Sequence, residues 1–238
     1  PNKEGDWINQ RNKAFETMIS LGDKKGKSER TAFKPIYSLG TASGRDAWVY
    51  SFSRARLEKN LDKTIQFYNE QTGKLRSRNE VFSKEALSYD STKISWNDQF
   101  IRLAQKGTQL DLEHESFRSA CYRPFQKQQF YFSKNLVQRR YQMPKLFPER
   151  NTENRVIAVS GIGGSKPFSC LMVDRVSELH FQENSQCFPL WYWEEEKADD
   201  LFATSGKQCG LTDWFIGEGK KRFGKDVTPE DLFYYIYG

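Results

Sequence analysis

The chain has 238 residues, of which 29% are charged and 37% hydrophobic. That length suits one large domain or two small ones, burying roughly 70% of the unfolded surface, and the composition excludes wholesale disorder. No apolar run approaches the roughly 18–20 residues that cross a bilayer. The polar start Pro1-Asn2-Lys3-Glu4-Gly5-Asp6 has neither an initiator Met nor a signal-peptide pattern, so it reads as a point inside a longer protein.

The net charge of +6 hides a split. Residues 1–150 hold 28 Lys and Arg against 17 Asp and Glu, while residues 151–238 hold 9 against 14. A positive segment of this size favours a polyanionic partner, because phosphate neutralisation releases condensed counterions. An ordinary solvated surface gives the same count. Cys121, Cys170, Cys187 and Cys209 form no Cys-x-x-Cys pair, and only His114 and His180 stand beside them, so zinc-finger spacing is missing. Buried, reduced thiols of a cytoplasmic protein are the expectation.

In chain order, Asp6 to Arg11 leads into a short helix through Phe15 and Met18. Gly22 to Arg30 reads as a mobile basic loop, Phe33 to Tyr37 as a strand, and Gly40 to Gly44 as a turn. Ser53 caps a helix with Leu57, Leu61, Thr64, Ile65 and Tyr68 on one face, ending near Asn69 before Thr72-Gly73. A second basic loop, Lys74 to Arg78, follows. Trp96 to Ala104 is a helix stopped at Gly107, and Phe117 to Phe132 is extended and aromatic, with strands flanking Arg123-Pro124. Pro148 to Asn154 reads as a linker, which allows a subdivision near residue 150 into a basic part, 1–150, and an acidic part, 151–238. Val156 to Ser160 is a buried strand, Phe168 to Val173 and Cys187 to Trp193 are further strands, and Glu194 to Asp200 opens an acidic loop or helix. Thr228-Pro229-Glu230-Asp231 starts a helix with a cap residue, Pro at the first position and acids at the positive dipole end. This helix suggests that the native chain continues. The fold class is α+β, mixed short-stranded sheets with peripheral helices.

Catalytic signatures are scarce. Gly161-Ile162-Gly163-Gly164-Ser165-Lys166 follows a strand, but Lys166 comes after Ser165 and Pro167 breaks the helix that a phosphate loop requires. A dinucleotide fingerprint fails for want of its third glycine. The loop still offers amides and Lys166 to a DNA phosphate. His114, between Glu113 and Glu115, marks an exposed turn, and His180 reads as a hydrogen-bonded core histidine. No Pro-Pro pair exists for a methyltransferase base-gripping loop. Spacing alone leaves an acid-and-lysine nuclease centre open.

Basic and aromatic residues interleave between 122 and 150. Phe130 and Phe132 are expected in the core, while Lys134, Arg139 and Arg140 read equally as DNA contacts or solvated rim. Phosphate anchoring is expected from Lys24, Lys25, Lys27, Arg30, Arg76 and Arg78, and base-edge or groove-wall contact from Arg45, Arg123, Arg139 and Arg140.

Several segments follow a recognisable order: Gly5 to Arg11, Arg45-Asp46-Ala47-Trp48-Val49-Tyr50-Ser51-Phe52-Ser53, Ile65-Gln66-Phe67-Tyr68-Asn69, Tyr122-Arg123-Pro124-Phe125 with Tyr131-Phe132, Cys187-Phe188-Pro189-Leu190, and Thr228 to Gly238. Together they resemble the C-terminal specificity region of type ISP single-polypeptide restriction–modification enzymes, across nearly the whole chain. The resemblance implies a target recognition domain of a larger enzyme, which binds double-stranded DNA and presents an adenine to an adenine-N6 methyltransferase domain. It also implies a nuclease, a helicase-type translocase, S-adenosylmethionine, ATP and magnesium in the rest of the polypeptide, and no catalysis or cofactor in this chain. Two alternatives stand beside it. One is a scaffold docking the methyltransferase against the translocase with little DNA contact, and the other is an unrecognised magnesium-dependent nuclease.

Overall fold

A computed structural model describes residues 17–28, 30–77, 86–161, 165–194 and 206–238. The elements are β1 (Ser38–Leu39), α1 (Asp46–Val49), β2 (Tyr50–Ser51), α2 (Arg54–Ser77), α3 (Asp98–Gln105), β3 (Phe117–Arg123), β4 (Gln126–Tyr131), α4 (Met143–Leu146), β5 (Val156–Val159), β6 (Cys170–Val173), β7 (Gln186–Pro189), β8 (Trp191–Trp193), β9 (Lys207–Cys209), α5 (Asp213–Phe223) and α6 (Pro229–Tyr237). This is the expected α+β class. The chain divides into two compact units, unit 1 (Pro1–Thr41, Cys121–Gln126, Tyr141–Gly238) and unit 2 (Ala42–Ala120, Lys127–Arg140). By sequence, unit 2 holds 17 Lys and Arg against 11 Asp and Glu, whereas unit 1 holds 20 of each. The whole net charge of +6 therefore belongs to unit 2.

Unit 2 is organised by α2. Leu57, Leu61, Thr64, Ile65 and Tyr68 are all buried, as their spacing predicts. Ser53 caps the start, its hydroxyl oxygen accepting from the Arg56 N–H at 3.3 Å. The helix does not stop at Asn69, however, and the expected basic loop at 74–77 is its last turn. Thr72 turns its hydroxyl back to the Tyr68 carbonyl at 2.9 Å, and Leu75 extends the buried stripe. One helical glycine costs about 1 kcal/mol, less than the roughly 1.5–3 kcal/mol from burying a leucine. Asn69 brackets Leu110, donating to its carbonyl at 2.8 Å and accepting its N–H at 2.9 Å. Asn97, one residue later than the expected start, caps α3 by accepting the Phe100 N–H at 2.9 Å. A three-stranded sheet in the order β2-β4-β3 carries Tyr50 stacked on Phe130, centroids 4.2 Å apart. Phe130 and Phe132 are core residues, as expected.

Unit 1 contains an antiparallel four-stranded sheet in the order β1-β7-β5-β6 and the β8-β9 ribbon. The β-branched run of β5 is buried at every position. Phe33, Phe188, Leu211, Leu232 and Phe233 share one core, with Phe33 5.1 Å from Phe188 and edge-on to Phe233 at 6.1 Å. Phe33 to Tyr37 is not a strand. Pro35 lacks an N–H, the Ile36 N–H turns back to the Lys34 carbonyl at 2.7 Å, and ladder pairing begins only at Ser38. The segment 187–193 splits into β7 and β8, with the Leu190 N–H bonding the Arg155 carbonyl between them. The change of charge sign at residue 150 falls inside unit 1. There Asn154, 2% exposed, donates to the carbonyls of Leu146 (2.9 Å) and Trp191 (2.7 Å). At α6, Thr228 and Asp231 form the reciprocal capping box that the sequence announces. The expected helix before Met18 and the acidic stretch after Glu194 lie outside the described residues.

Candidate nucleic-acid interface

Lys24, Lys25, Lys27 and Arg30 are all exposed on a turn of unit 1. The turn is built by Asp23, whose carboxylate accepts from the backbone N–H groups of Lys25 (2.9 Å), Lys27 (3.0 Å) and Ser28 (3.2 Å). These bonds, that of Lys25 first, hold the Asp23 carboxyl below its usual range. The carboxylate thus holds the backbone of the turn, and among the exposed lysines Lys24 has its Nζ 5.2 Å from the Tyr37 ring centroid. Gly26, at φ +60°, closes the turn in a region that side chains rarely adopt.

In unit 2 a cavity of about 390 Å³ is lined by Asp98, Gln99, Arg102, Leu103, Lys106, Gln138 and Arg139. Arg102 on α3 and Lys106 at its C-cap stand four residues apart, where like charges repel and an anion beside them is favoured. Gln99 donates to the Lys134 carbonyl at 2.5 Å and so fixes the exposed Lys134 segment to α3. Arg139 pairs its backbone with Ala42 and is exposed. Sequence reasoning found Lys134 and Arg139 but missed Arg102 and Lys106, although their i, i+4 spacing was a usable signal. Arg140 is half-buried with its guanidinium 5.2 Å above the Phe132 ring, and desolvation lowers its pKa.

Arg45 corrects the expectation of a base-edge contact. It is only 5% exposed, its guanidinium lies 3.6 Å from the Phe100 ring centroid, and its Nε, Nη1 and Nη2 are buried without hydrogen-bond partners. Burial lowers its pKa to about 10, so the group stays charged at neutral pH. Arg76 lies in the last turn of α2 rather than in a loop, and Arg78 is outside the described residues.

The β3–β4 hairpin tip places Arg123 in unit 1. Its Nη1 donates to Glu178 Oε2 at 2.6 Å, and the same oxygen accepts the His180 N–H at 2.6 Å. The ion pair is asymmetric, Arg123 being 37% and Glu178 only 3% exposed at the side chain. Arg123 therefore anchors the tip before it meets anything outside. Beside it a cavity of about 580 Å³ is lined by Arg123, Phe125, Lys166, His180, Gln182 and Glu183, among others. His180 is exposed there, not in the core, because the Glu178-capped turn Leu179–Phe181 buries Phe181 instead. His114 is exposed as expected. At the described end of the glycine loop, Glu183 accepts from Ser165 N–H, Ser165 Oγ–H and Lys166 N–H, each at 2.9 Å. The amides suited to an anion hold the protein's own carboxylate, which lowers the Glu183 pKa.

Burial raises the pKa of the Cys187 thiol to about 12, and none of the four cysteines is in a disulfide. Among the described residues no group of three or more His, Cys, Asp or Glu side chains is placed to hold a metal ion, and no helix is long and apolar enough to cross a membrane.

The whole chain is similar to part of the ATP-dependent Type ISP restriction-modification enzyme LlaBIII, solved bound to DNA, at 29% identity and a TM-score of 0.78 over 15% of that chain. It is also similar to part of the DrdV–DNA complex (31%, 0.78, 23% of that chain) and of a nuclease-deletion mutant of the Type ISP enzyme LlaGI with a DNA substrate mimic (25%, 0.78, 17%). No curated protein matches. The chain thus spans less than a quarter of each of these solved chains. The family model described as the Type ISP C-terminal specificity domain matches residues 32–238, and this chain belongs to that family.

Proposed function

We propose that this chain is the DNA target-recognition module of a single-polypeptide restriction–modification enzyme, and that it binds duplex DNA to position an adenine for a methyltransferase domain. The observation that carries the reading is the likeness over the entire chain to proteins solved with DNA bound. The concentration of net charge in unit 2 and the groove formed by Arg102, Lys106, Gln138 and Arg139 support it. Lys24, Lys25, Lys27, Arg30 and Lys134 serve as phosphate anchors in this reading, with Arg76 and Arg78 as expected from sequence. Arg139 and Gln138 suit base edges, since Arg meets guanine and Gln meets adenine through paired hydrogen bonds. Catalysis belongs to nuclease, translocase and adenine-N6 methyltransferase domains of the same cytoplasmic polypeptide, which supply the sites for magnesium, ATP and S-adenosylmethionine. This chain itself is non-catalytic.

The test is an alanine series read by binding and by sequence selection. K134A or the pair R102A/K106A should weaken all duplexes alike and lower the salt slope by about one per lost phosphate contact. R139A should relax one base position, at roughly 1–3 kcal/mol. Identical behaviour of every variant on all sequences would remove the division into anchors and readers. A second reading, docking of catalytic domains with little DNA contact, draws on the exposed Phe223, Tyr234 and Tyr235 around α5 and α6.

A further inference from the structure

The β3–β4 tip exposes Pro124 and Phe125. Phe125 is 93% exposed, the most of any large hydrophobic residue described, and it sits at φ +61°. A bulky side chain in the left-handed region is strained, and an aromatic ring in water is unfavourable; glycine at this position would relieve both. The tip is nevertheless held firmly. Arg123 is pinned by Glu178 at 2.6 Å, and its guanidinium lies 4.0 Å from the Tyr122 ring centroid. A strained, rigidly presented ring is a tool rather than a packing residue.

The surroundings indicate what the ring meets. Lys166 and His180 line the cavity beside it, with Arg123. The two acids nearby are already engaged, Glu178 by Arg123 and the His180 N–H, Glu183 by Ser165 and Lys166. The Arg123 and Lys166 charges at this rim are matched in number by those of Glu178 and Glu183, so the exposed apolar ring is what the tip offers, and an apolar ring suits the faces of stacked bases. Phe and Pro are among the side chains that wedge between base steps.

We propose that Phe125, with Pro124 behind it, inserts into the base stack of bound duplex DNA, Lys166 and His180 facing the flanking phosphates. This rests on the DNA-binding reading above and adds to it a residue that deforms the duplex. The inserted ring unstacks one step, which makes that step sensitive to sequence through its deformability rather than through hydrogen bonds.

The experiment uses the chain with short duplexes carrying single 2-aminopurine substitutions at successive positions of a selected binding sequence. Fluorescence reports unstacking and anisotropy reports affinity. Wild-type protein should brighten 2-aminopurine at one or two adjacent positions. F125A should lose that signal and about tenfold in affinity with an unchanged salt slope, while F125W should keep both. Thermal unfolding of F125A should match or exceed wild type, which separates the effect from misfolding. Equal fluorescence and affinity for F125A and wild type would overturn insertion and leave DNA binding standing. An F125A protein that binds DNA normally but loses association with a protein partner would overturn it in favour of a docking knob. Absence of salt-dependent binding by wild type would overturn both readings.

Discussion

The Arg123–Glu178 pair gives the sharpest energetic test of how the hairpin tip is held. R123A leaves the Glu178 carboxylate, 3% exposed at the side chain, without its cationic partner. Breaking a fully buried pair costs about 3–5 kcal/mol, but Arg123 is 37% exposed and water screens part of the interaction, so about 2–3 kcal/mol is expected. E178A removes the acceptor of the Arg123 and His180 bonds, both 2.6 Å, and the cap of the Leu179–Phe181 turn. Arg123 then hydrates, and a loss of about 2 kcal/mol follows from the charge-assisted bonds and the cap. For a chain of this length each kcal/mol moves the Tm by about 2–4 °C, so R123A should lower it by about 4–12 °C. The double variant should cost at least about 1 kcal/mol less than the sum of the singles, because both remove one interaction. Tm shifts within about 1 °C for R123A, or strict additivity, would refute the anchoring argument.

Other consequences follow from the same physics. T228A should cost about 1 kcal/mol by thermal unfolding, since the Thr228 oxygen accepts the Asp231 N–H at 3.1 Å. The Thr228 bonds hold the Asp231 carboxyl below 3.8, so their contribution is complete above that value and lost as pH falls through the lower folded value; D231N should flatten this acid-side loss in a pH series of Tm. R45M, which keeps length over Phe100 without burying an unpartnered charge, should leave Tm unchanged or raise it, whereas R45A should lower it by opening a void. E183A frees the Ser165 and Lys166 amides and removes a competing carboxylate, so duplex affinity at low salt should rise a few-fold, and an unchanged or weakened affinity would contradict this account of the loop.

Elements with strong local signals were legible in the sequence. The cap of α6, the β5 run and the face of α2 were read correctly because each is set by nearby residues. The end of α2 was misread because Gly73 and the charges after it suggested a break, while Leu75 is buried by tertiary packing that composition does not reveal. Strand β9 and helix α5 carried no distinct pattern, whereas β8 lay within the strand expected over 187–193; there Trp191 pairs with Cys209 and Trp193 with Lys207. At the candidate interface, exposure decided matters that charge could not. Lys24 and Arg139 are outward, Arg45 lies against Phe100, and Arg123 is committed to a glutamate 55 residues away. His180 was read as a hydrogen-bonded core histidine, but it is the middle residue of the Leu179–Phe181 turn, which buries Phe181 instead.

The central claim, that this chain engages duplex DNA through a cationic surface, is tested most directly by fluorescence anisotropy with a labelled random duplex across a salt series. The account predicts measurable binding at low salt that falls steeply and linearly on a log–log plot, with several counterions released. No binding at about 50 mM salt, or binding that does not change with salt, would contradict it.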